Sequence, residues 1–420
     1  MKEVNRMIVI QSIIDNKRTG KEASEVLNLS ERQIWRLVKK AKDKGIDNLK
    51  HGNCNKIPKN KVTDDIINKI VELKKSYNYE DANIMHFTEL LGERENISLS
   101  YSTVYNILKK KGIISKNKHK DRKTHRRRKR KEHEGELVQA DGTPFDWFGD
   151  GKLYSVHGYI DDATGKVLGL YMMKNECLLG YLETLRYMLK HNGVPKILYP
   201  DKYSVFFPTK KQTVTIEEQL EGKKTTTQFM RIITTLGIKM FPASTSQAKG
   251  RIERLWKTLQ DRLVTEFRIN NITTPDEANK FFEKYIPSYN KKFAIKPASE
   301  KSYFSKVPDY INLDLLLCAK LNRVIDNAGS FTIQGQRFQI INNKILPNSK
   351  VDIYMSKKKG IIVLHGNTEY NVLCGEDVPS KYSTKTAKQL YQENNKKVVE
   401  FATNMLSYDN KVNEPLLTSS

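Results

Sequence analysis

Apolar residues near the N-terminus recur at helical spacing. Ala23, Val26 and Leu27 share one face, Asn28 and Leu29 make a turn, and Ser30 with Gln33 fits a capping box. Ile34, Leu37, Val38 and Ala41 then follow the i, i+3, i+4, i+7 rule until Gly45 closes the helix. That stripe turns Arg32, Gln33, Arg36, Lys39 and Lys40 outward, as in a helix-turn-helix whose second helix reads a major groove. A second unit of this kind occupies residues 62–112. In its last helix Val104, Ile107 and Leu108 face inward, while Ser102, Thr103, Asn106, Lys109 and Lys110 face out.

From residue 135 to 298 the pattern changes to strands followed by helices. Residues 137–140 form a short buried run ending at Asp141, and 153–161 with 167–173 form an antiparallel hairpin around the turn 162–166. Next come an amphipathic helix at 177–191, a strand at 197–199 ending at Pro200 and Asp201, a helix at 229–236, a strand at 238–241 and a long helix at 247–268. Three meandering strands, then helix, strand, helix, strand, helix, is the order of a ribonuclease-H-like sheet. The polar stretch 208–227 reads as an insertion. Residues 313–323 form a link, and five short runs at 331–333, 337–341, 351–354, 361–364 and 370–373 read as a small β-barrel. The polar tail holds one candidate helix, at 387–406, either disordered alone or docked on a partner subunit.

The expected architecture is multidomain. It comprises an all-α helix-turn-helix domain at 1–55 and a second helix-turn-helix or winged-helix-like domain at 60–115. A basic linker at 116–133 leads to an α/β ribonuclease-H-like core at 134–300, followed by the small β-barrel at 320–375 and the polar tail at 376–420.

Charge adds the partner. Lys and Arg number 73 against 48 acids, a net of +25, beside an ordinary 38% hydrophobic content. Residues 116–131 hold eleven of these cations and one acid, with Arg126, Arg127 and Arg128 adjacent. Like charges at this density repel one another in water and become ordered on a phosphate backbone. No run reaches the roughly 18 apolar residues that span a bilayer, and no secretory leader is evident. The four cysteines lie far apart without a CxxC pair. Double-stranded DNA is the expected partner, with no membrane, in a cytoplasmic, nucleoid-associated setting.

Three acids carry the candidate chemistry. Asp141 follows the first strand and Asp201 the fourth, which are neighbours in such a sheet, and Glu253 lies at the rim of the stripe Ile252, Leu255, Trp256, Leu259 and Leu263. Carboxylates sharing one edge repel unless a cation lies among them. Mg²⁺ prefers such hard oxygen ligands, and two ions can hold the attacking and leaving oxygens of a displacement at phosphorus. Neighbouring Asp161 and Asp162 point to opposite faces of a strand and read as turn residues, and Asp146 and Asp150 as surface acids. Lys249, Arg251, Arg254 and Lys257 share the Glu253 helix and are candidate DNA contacts.

Four runs resemble a known family: Gln139-Ala140-Asp141-Gly142 with Trp147, residues 160–166 (IDDATGK), Tyr199-Pro200-Asp201, and residues 244–254 (STSQAKGRIER). They are similar to the integrase-type DDE transposases of bacterial insertion sequences, and among these to the group called ISNCY. The likeness extends over residues 20–375 and is densest at 137–298. It implies that Asp141, Asp201 and Glu253 are catalytic and hold two Mg²⁺, with Mn²⁺ able to substitute. Water would cleave a strand to free a 3′-OH, which then attacks target DNA. The implied DNA partners are terminal inverted repeats and target DNA. A homo-oligomer of at least two chains is also implied, since two ends must be joined in one event. In that family the barrel's position holds a DNA- or subunit-binding module. One departure stands out: Asp201 and Glu253 are 52 positions apart, longer than in the wider superfamily, and the insertion accounts for most of the excess.

Overall fold

The computed structural model describes residues 2–49, 61–113, 128–208, 224–243, 249–341, 344–375, 387–407 and 416–418. The chain forms two compact units, Met1–Ile70 and Val71–Ser420. In the first, helices α1 (Lys2–Ile14), α2 (Gly20–Leu27) and α3 (Glu31–Lys44) enclose Val9, Ile10, Ile13, Ala23, Ile34, Val38 and Ala41. Ser30 accepts from the Gln33 N–H, only half of the expected box. The reciprocal box lies one helix earlier, between Thr19 and Glu22. Asn28 ends α2 in the left-handed region, at φ 51°. Arg32, Gln33, Arg36, Lys39 and Lys40 are all exposed on α3, and Trp35 stands exposed among them.

Helix α4 (Asp64–Lys75) crosses into the second unit, where α5 (Ile84–Arg94) and α6 (Tyr101–Lys110) follow. Helix α6 buries Val104, Ile107 and Leu108 and exposes Ser102, Asn106, Lys109 and Lys110, whereas Thr103 is half-buried.

The central sheet contains β1 (Val138–Phe145), β2 (Tyr154–Asp161), β3 (Val167–Met173), β4 (Ile197–Tyr199) and β6 (Lys239–Met240), in the order β3-β2-β1-β4-β6. The first three strands are antiparallel neighbours, and β4 runs parallel to both β1 and β6. Strand β1 does not end at residue 140. It pairs with β2 from Val138↔Asp161 to Phe145↔Tyr154, while its β4 ladder ends at Gln139↔Tyr199. Past Gln139, β1 is therefore covered on one edge only, and its burial falls off. The short β5 (Lys224–Thr226) lies outside this sheet and pairs with β13 (Leu416–Thr418).

Helices α7 (Leu178–His191), α8 (Gln228–Thr235), α9 (Gly250–Ile269) and α10 (Pro275–Phe293) complete this part. The Asn279 and Asn290 amides of α10 pair with the backbone of Met172 and Val167, closing the free edge of β3. Residues 209–223, most of the expected insertion, lie outside the described residues. Its base is closed, because the Thr227 hydroxyl donates to the Phe206 carbonyl (3.2 Å) and the Phe206 and Phe229 rings meet edge to face at 4.9 Å.

After α11 (Leu313–Leu316), six strands form a nearly closed sheet in the order β7-β10-β11-β12-β9-β8. They are β7 (Ala319–Val324), β8 (Ser330–Ile333), β9 (Gln336–Ile340), β10 (Lys350–Ser356), β11 (Gly360–His365) and β12 (Thr368–Cys374). Arg323 on one edge strand donates to the Thr332 carbonyl on the other (3.3 Å). Strand β7 corrects the expected link at 319–323, since the adjacent Asn322 and Arg323 break the alternation of a strand, yet the segment pairs with β10 from Ala319↔Met355 to Val324↔Lys350. The tail helix α12 (Ala387–Leu406) docks on this chain's own sheet. It buries Val398, Ala402, Met405 and Leu406, and the Asn394 amide pairs with the Cys374 N–H and the Val372 carbonyl. Among the described residues no helix is long and apolar enough to cross a membrane.

Helix α5 rests on α9 and α10 through charges. Arg262 donates twice to Glu89 (2.7 and 3.0 Å), and Lys292 contacts Glu89 (2.7 Å) and Glu93 (2.9 Å). Burial pushes the Glu89 carboxyl upward, but hydrogen bonds from Arg262 and Lys292 outweigh it and bring it to about 2. Glu89 thus binds its proton more weakly folded than unfolded. Its contribution is in place above about pH 4.5 and is lost as pH falls towards 2. Removing Arg262 takes two charged hydrogen bonds from half-buried Glu89 and leaves it Lys292 alone, so Arg262→Ala is expected to cost about 2 kcal/mol in denaturant unfolding. A stability equal to that of the parent would show that the pair adds nothing.

Candidate active site

The last β1–β4 rung joins Gln139 to Tyr199, and Asp141 and Asp201 each stand two residues further on. Asp141 is still on β1, whereas Asp201 lies beyond the end of β4, and the charges of both reach the Tyr181 hydroxyl. Both are half-buried. Asp201, past the end of β4, is held by its own turn, in which Oδ1 accepts from the Tyr203 N–H (3.1 Å). Burial pushes the Tyr181 hydroxyl well above its usual range, and the charges of Glu176, Asp141 and Asp201 press in the same direction. Tyr181 also donates to Glu176.

Helix α9 carries the third candidate acid, Glu253. Lys249, at its N-cap, places Nζ 2.5 Å from Asp141 Oδ1, and the Trp256 Nε1–H donates to Oδ2 (2.9 Å). Lys249, Glu253 and Trp256 fall at i, i+4 and i+7, a single helical stripe. Glu253 is exposed and lies between two residues that both touch Asp141. Opposite Asp141 on β2 is Gly158, where a Cβ would come within 2.5 Å of the Trp256 ring. The indole reaches Asp141 because that position lacks a side chain.

Among the described residues no group of three or more His, Cys, Asp or Glu side chains is gathered closely enough to hold a metal ion. The nearly buried Lys249 ammonium supplies the positive charge beside Asp141. Carboxylate oxygens are the hard donors Mg²⁺ uses, but in this structure Lys249 holds the cation position at Asp141.

Other candidates are distributed differently. Lys249 points inward to Asp141, and Arg251 places Nε 2.7 Å from Asp162, so neither offers its charge to solvent here. Arg254 and Lys257 are exposed. Arg128 pairs with Asp162, while Arg126 and Arg127 lie outside the described residues. Asp161 and Asp162 sit at the hairpin turn but are completely buried. Asp161 accepts from the Gly135 and Thr164 backbone N–H groups and from the Thr164 hydroxyl, and its burial pushes its carboxyl upward. Asp146 accepts from the Asp150 and Gly151 N–H groups in a surface loop. Sequence reasoning had assigned Trp256 to the core alone. The available signal was its indole N–H, which needs an acceptor when buried.

No protein-family model matches the chain. The transposase for insertion sequence IS1202 of Streptococcus pneumoniae is 34% identical over 397 residues, covering 87% of this chain and 82% of that protein. The y4bF protein of Sinorhizobium fredii is 32% identical over 348 residues, covering 82% of this chain and 74% of its own length. Among solved structures, the HTLV-2 integrase catalytic core domain in complex with magnesium is 16% identical, with a TM-score of 0.28 over 40% of this chain and 92% of that one. A simian T-cell lymphotropic virus intasome in complex with the PP2A subunit B56 gamma is 14% identical, with a TM-score of 0.30 over 73% of this chain and 96% of that one. Sequence identity at this level over most of both chains shows that the protein belongs to the transposases of insertion sequences and acts in DNA transposition.

Proposed function

We propose that this transposase binds the ends of its element and cuts and joins DNA strands at Asp141, Asp201 and Glu253, with Mg²⁺ or Mn²⁺ held by these acids. One observation carries the reading: Lys249 and Trp256, from the stripe that holds Glu253, both touch Asp141. Bound there, one or two such ions supply charge to the attacking and leaving oxygens at phosphorus. The chain's own groups do the positioning. The Trp256 N–H orients one Asp141 oxygen, the Tyr203 N–H orients Asp201, and Glu253 rides the first turn of α9, where the helix's positive end favours a carboxylate. Lys249, once released from Asp141, has its ammonium beside the scissile phosphate, and exposed Arg254 and Lys257 continue along the backbone.

In this reading Arg32, Gln33, Arg36, Lys39 and Lys40 of α3 and Ser102, Thr103, Asn106 and Lys109 of α6 read the terminal repeats. The basic segment with Arg126 and Arg127 holds phosphates, Arg128 being paired with Asp162, and at least two chains join the two ends. Binding should fall steeply with salt and need no metal, whereas chemistry should need it. The test uses purified protein and a duplex carrying the element's end. A nick at the end that depends on Mg²⁺ or Mn²⁺ is expected. Tight binding without nicking in either metal would favour a DNA-binding regulator and overturn the enzymatic reading.

A further inference from the structure

Asp162 belongs to the hairpin turn, yet the turn does not need it, because Asp161 already satisfies the Gly135 and Thr164 donors. Its completely buried carboxylate instead gathers three separate parts of the chain. From β1, Gln139 Nε2 donates to Oδ1 (2.9 Å). From α9, Arg251 Nε donates to the same oxygen (2.7 Å). From the end of the basic segment, Arg128 pairs with Oδ1 and the Lys131 backbone N–H donates to Oδ2 (2.9 Å). Two further bonds tighten the junction. Gln139 Oε1 accepts from the Ile252 N–H (3.2 Å), and Arg251 donates to the Arg128 carbonyl (3.3 Å).

The residues fixed this way flank the candidate acids. Gln139 lies two positions before Asp141 on the same face of β1, and Arg251 and Ile252 immediately precede Glu253. Buried donors and acceptors resist rearrangement, because a lost partner leaves an unsatisfied group in low dielectric. The first turn of α9 is thus set by Asp162, directly through Arg251 and indirectly through Gln139. The side chain of Arg128, partly exposed, ties the same carboxylate to the polycationic segment.

We propose that Asp162 is a positioning residue, and that the Arg128–Asp162–Arg251 cluster couples engagement of the basic segment on DNA to the placement of Glu253. The proposal rests on the reading of Glu253 as a catalytic acid. A buried Asp162→Asn chain can fail to fold, so the test uses Arg128→Ala and Arg128→Lys in the full-length protein. Two quantities are measured: amide hydrogen exchange across the first turn of α9, with and without end-bearing duplex, and kcat against KM for nicking.

Arg128→Ala is expected to raise exchange at Ile252 about tenfold and to lower kcat by a similar factor, with KM nearly unchanged, since ten cations remain in residues 116–131. Arg128→Lys should restore part of both losses. Parental exchange and kcat in Arg128→Ala, or a change in KM alone, would overturn the coupling. The exchange measurement stands even if Glu253→Gln proves active, so failure of the site assignment and failure of the coupling are told apart.

Discussion

Glu253→Gln is expected to abolish strand cleavage and joining, by about 10³-fold or more, the scale of losing a charge-stabilising group at a reacting centre. The substitution keeps size and removes charge. Because Glu253 is exposed on α9, it packs against nothing whose loss would unfold the chain, so fold and end binding should survive. Fluorescence anisotropy of an end-bearing duplex, beside a nicking assay on the same preparation, separates the two effects. Parental cleavage in the variant would remove Glu253 from the site, while joint loss of binding and cleavage would mean that the side chain serves DNA contact and not chemistry.

Gly180→Ala should be the most damaging small substitution in the core. Its new Cβ would collide with the ring of His157, which has no room to yield. That ring is completely buried: the Tyr171 carbonyl accepts from Nδ1 (3.1 Å) and Nε2 accepts from the Cys177 N–H (3.1 Å). Displacing it breaks both bonds and overpacks the contact between α7 and β2, at about 3 kcal/mol or more. The same arrangement keeps the ring neutral, since burial lowers its titration to about 4 despite the opposing pull of the Tyr171 carbonyl. The unfolded chain therefore takes up this proton first as pH falls from about 6.5. Stability should decline by about 3 kcal/mol between pH 6.5 and 4 on this account alone and level off below. Urea melts across that range, with NMR titration of the ring, check both statements. A ring that titrates near 6.5 in the folded chain would refute them.

Strongly periodic segments could be read from the chain. The hairpin of β2 and β3, helices α3, α6 and α7, and the tail helix α12 lie within one or two residues of where apolar spacing put them. Helix α10 was passed over because Asn279 and Asn290 look like surface polarity, although their amides close the edge of β3. Strand β7 is hidden because the adjacent Asn322 and Arg323 interrupt the period of two, and only the pairing with β10 reveals it. At the site, the expected strand ends pointed to Asp141 and Asp201 and the helical rim to Glu253, although β1 runs on to Phe145 and leaves Asp141 inside the strand. The cost of burying Asp162 beside two arginines has no signature in spacing, because its partners come from positions 128, 131, 139 and 251.

The closed base of the segment between Phe206 and Thr227 bears on how this chain can vary. Its two stems are pinned by a hydroxyl–carbonyl bond and a pair of rings, while Asp201 is held by the Tyr203 N–H and the first turn of α9 by Gln139. Spacing between the second and third acids is then a free coordinate. Each doubling of a loop costs only about 0.6 kcal/mol in closure entropy. Sequence length between motifs is thus a poor ruler for placing this chain among its relatives. By the same logic, a reporter peptide spliced into residues 209–223 is the modification to which the two acids should be least sensitive.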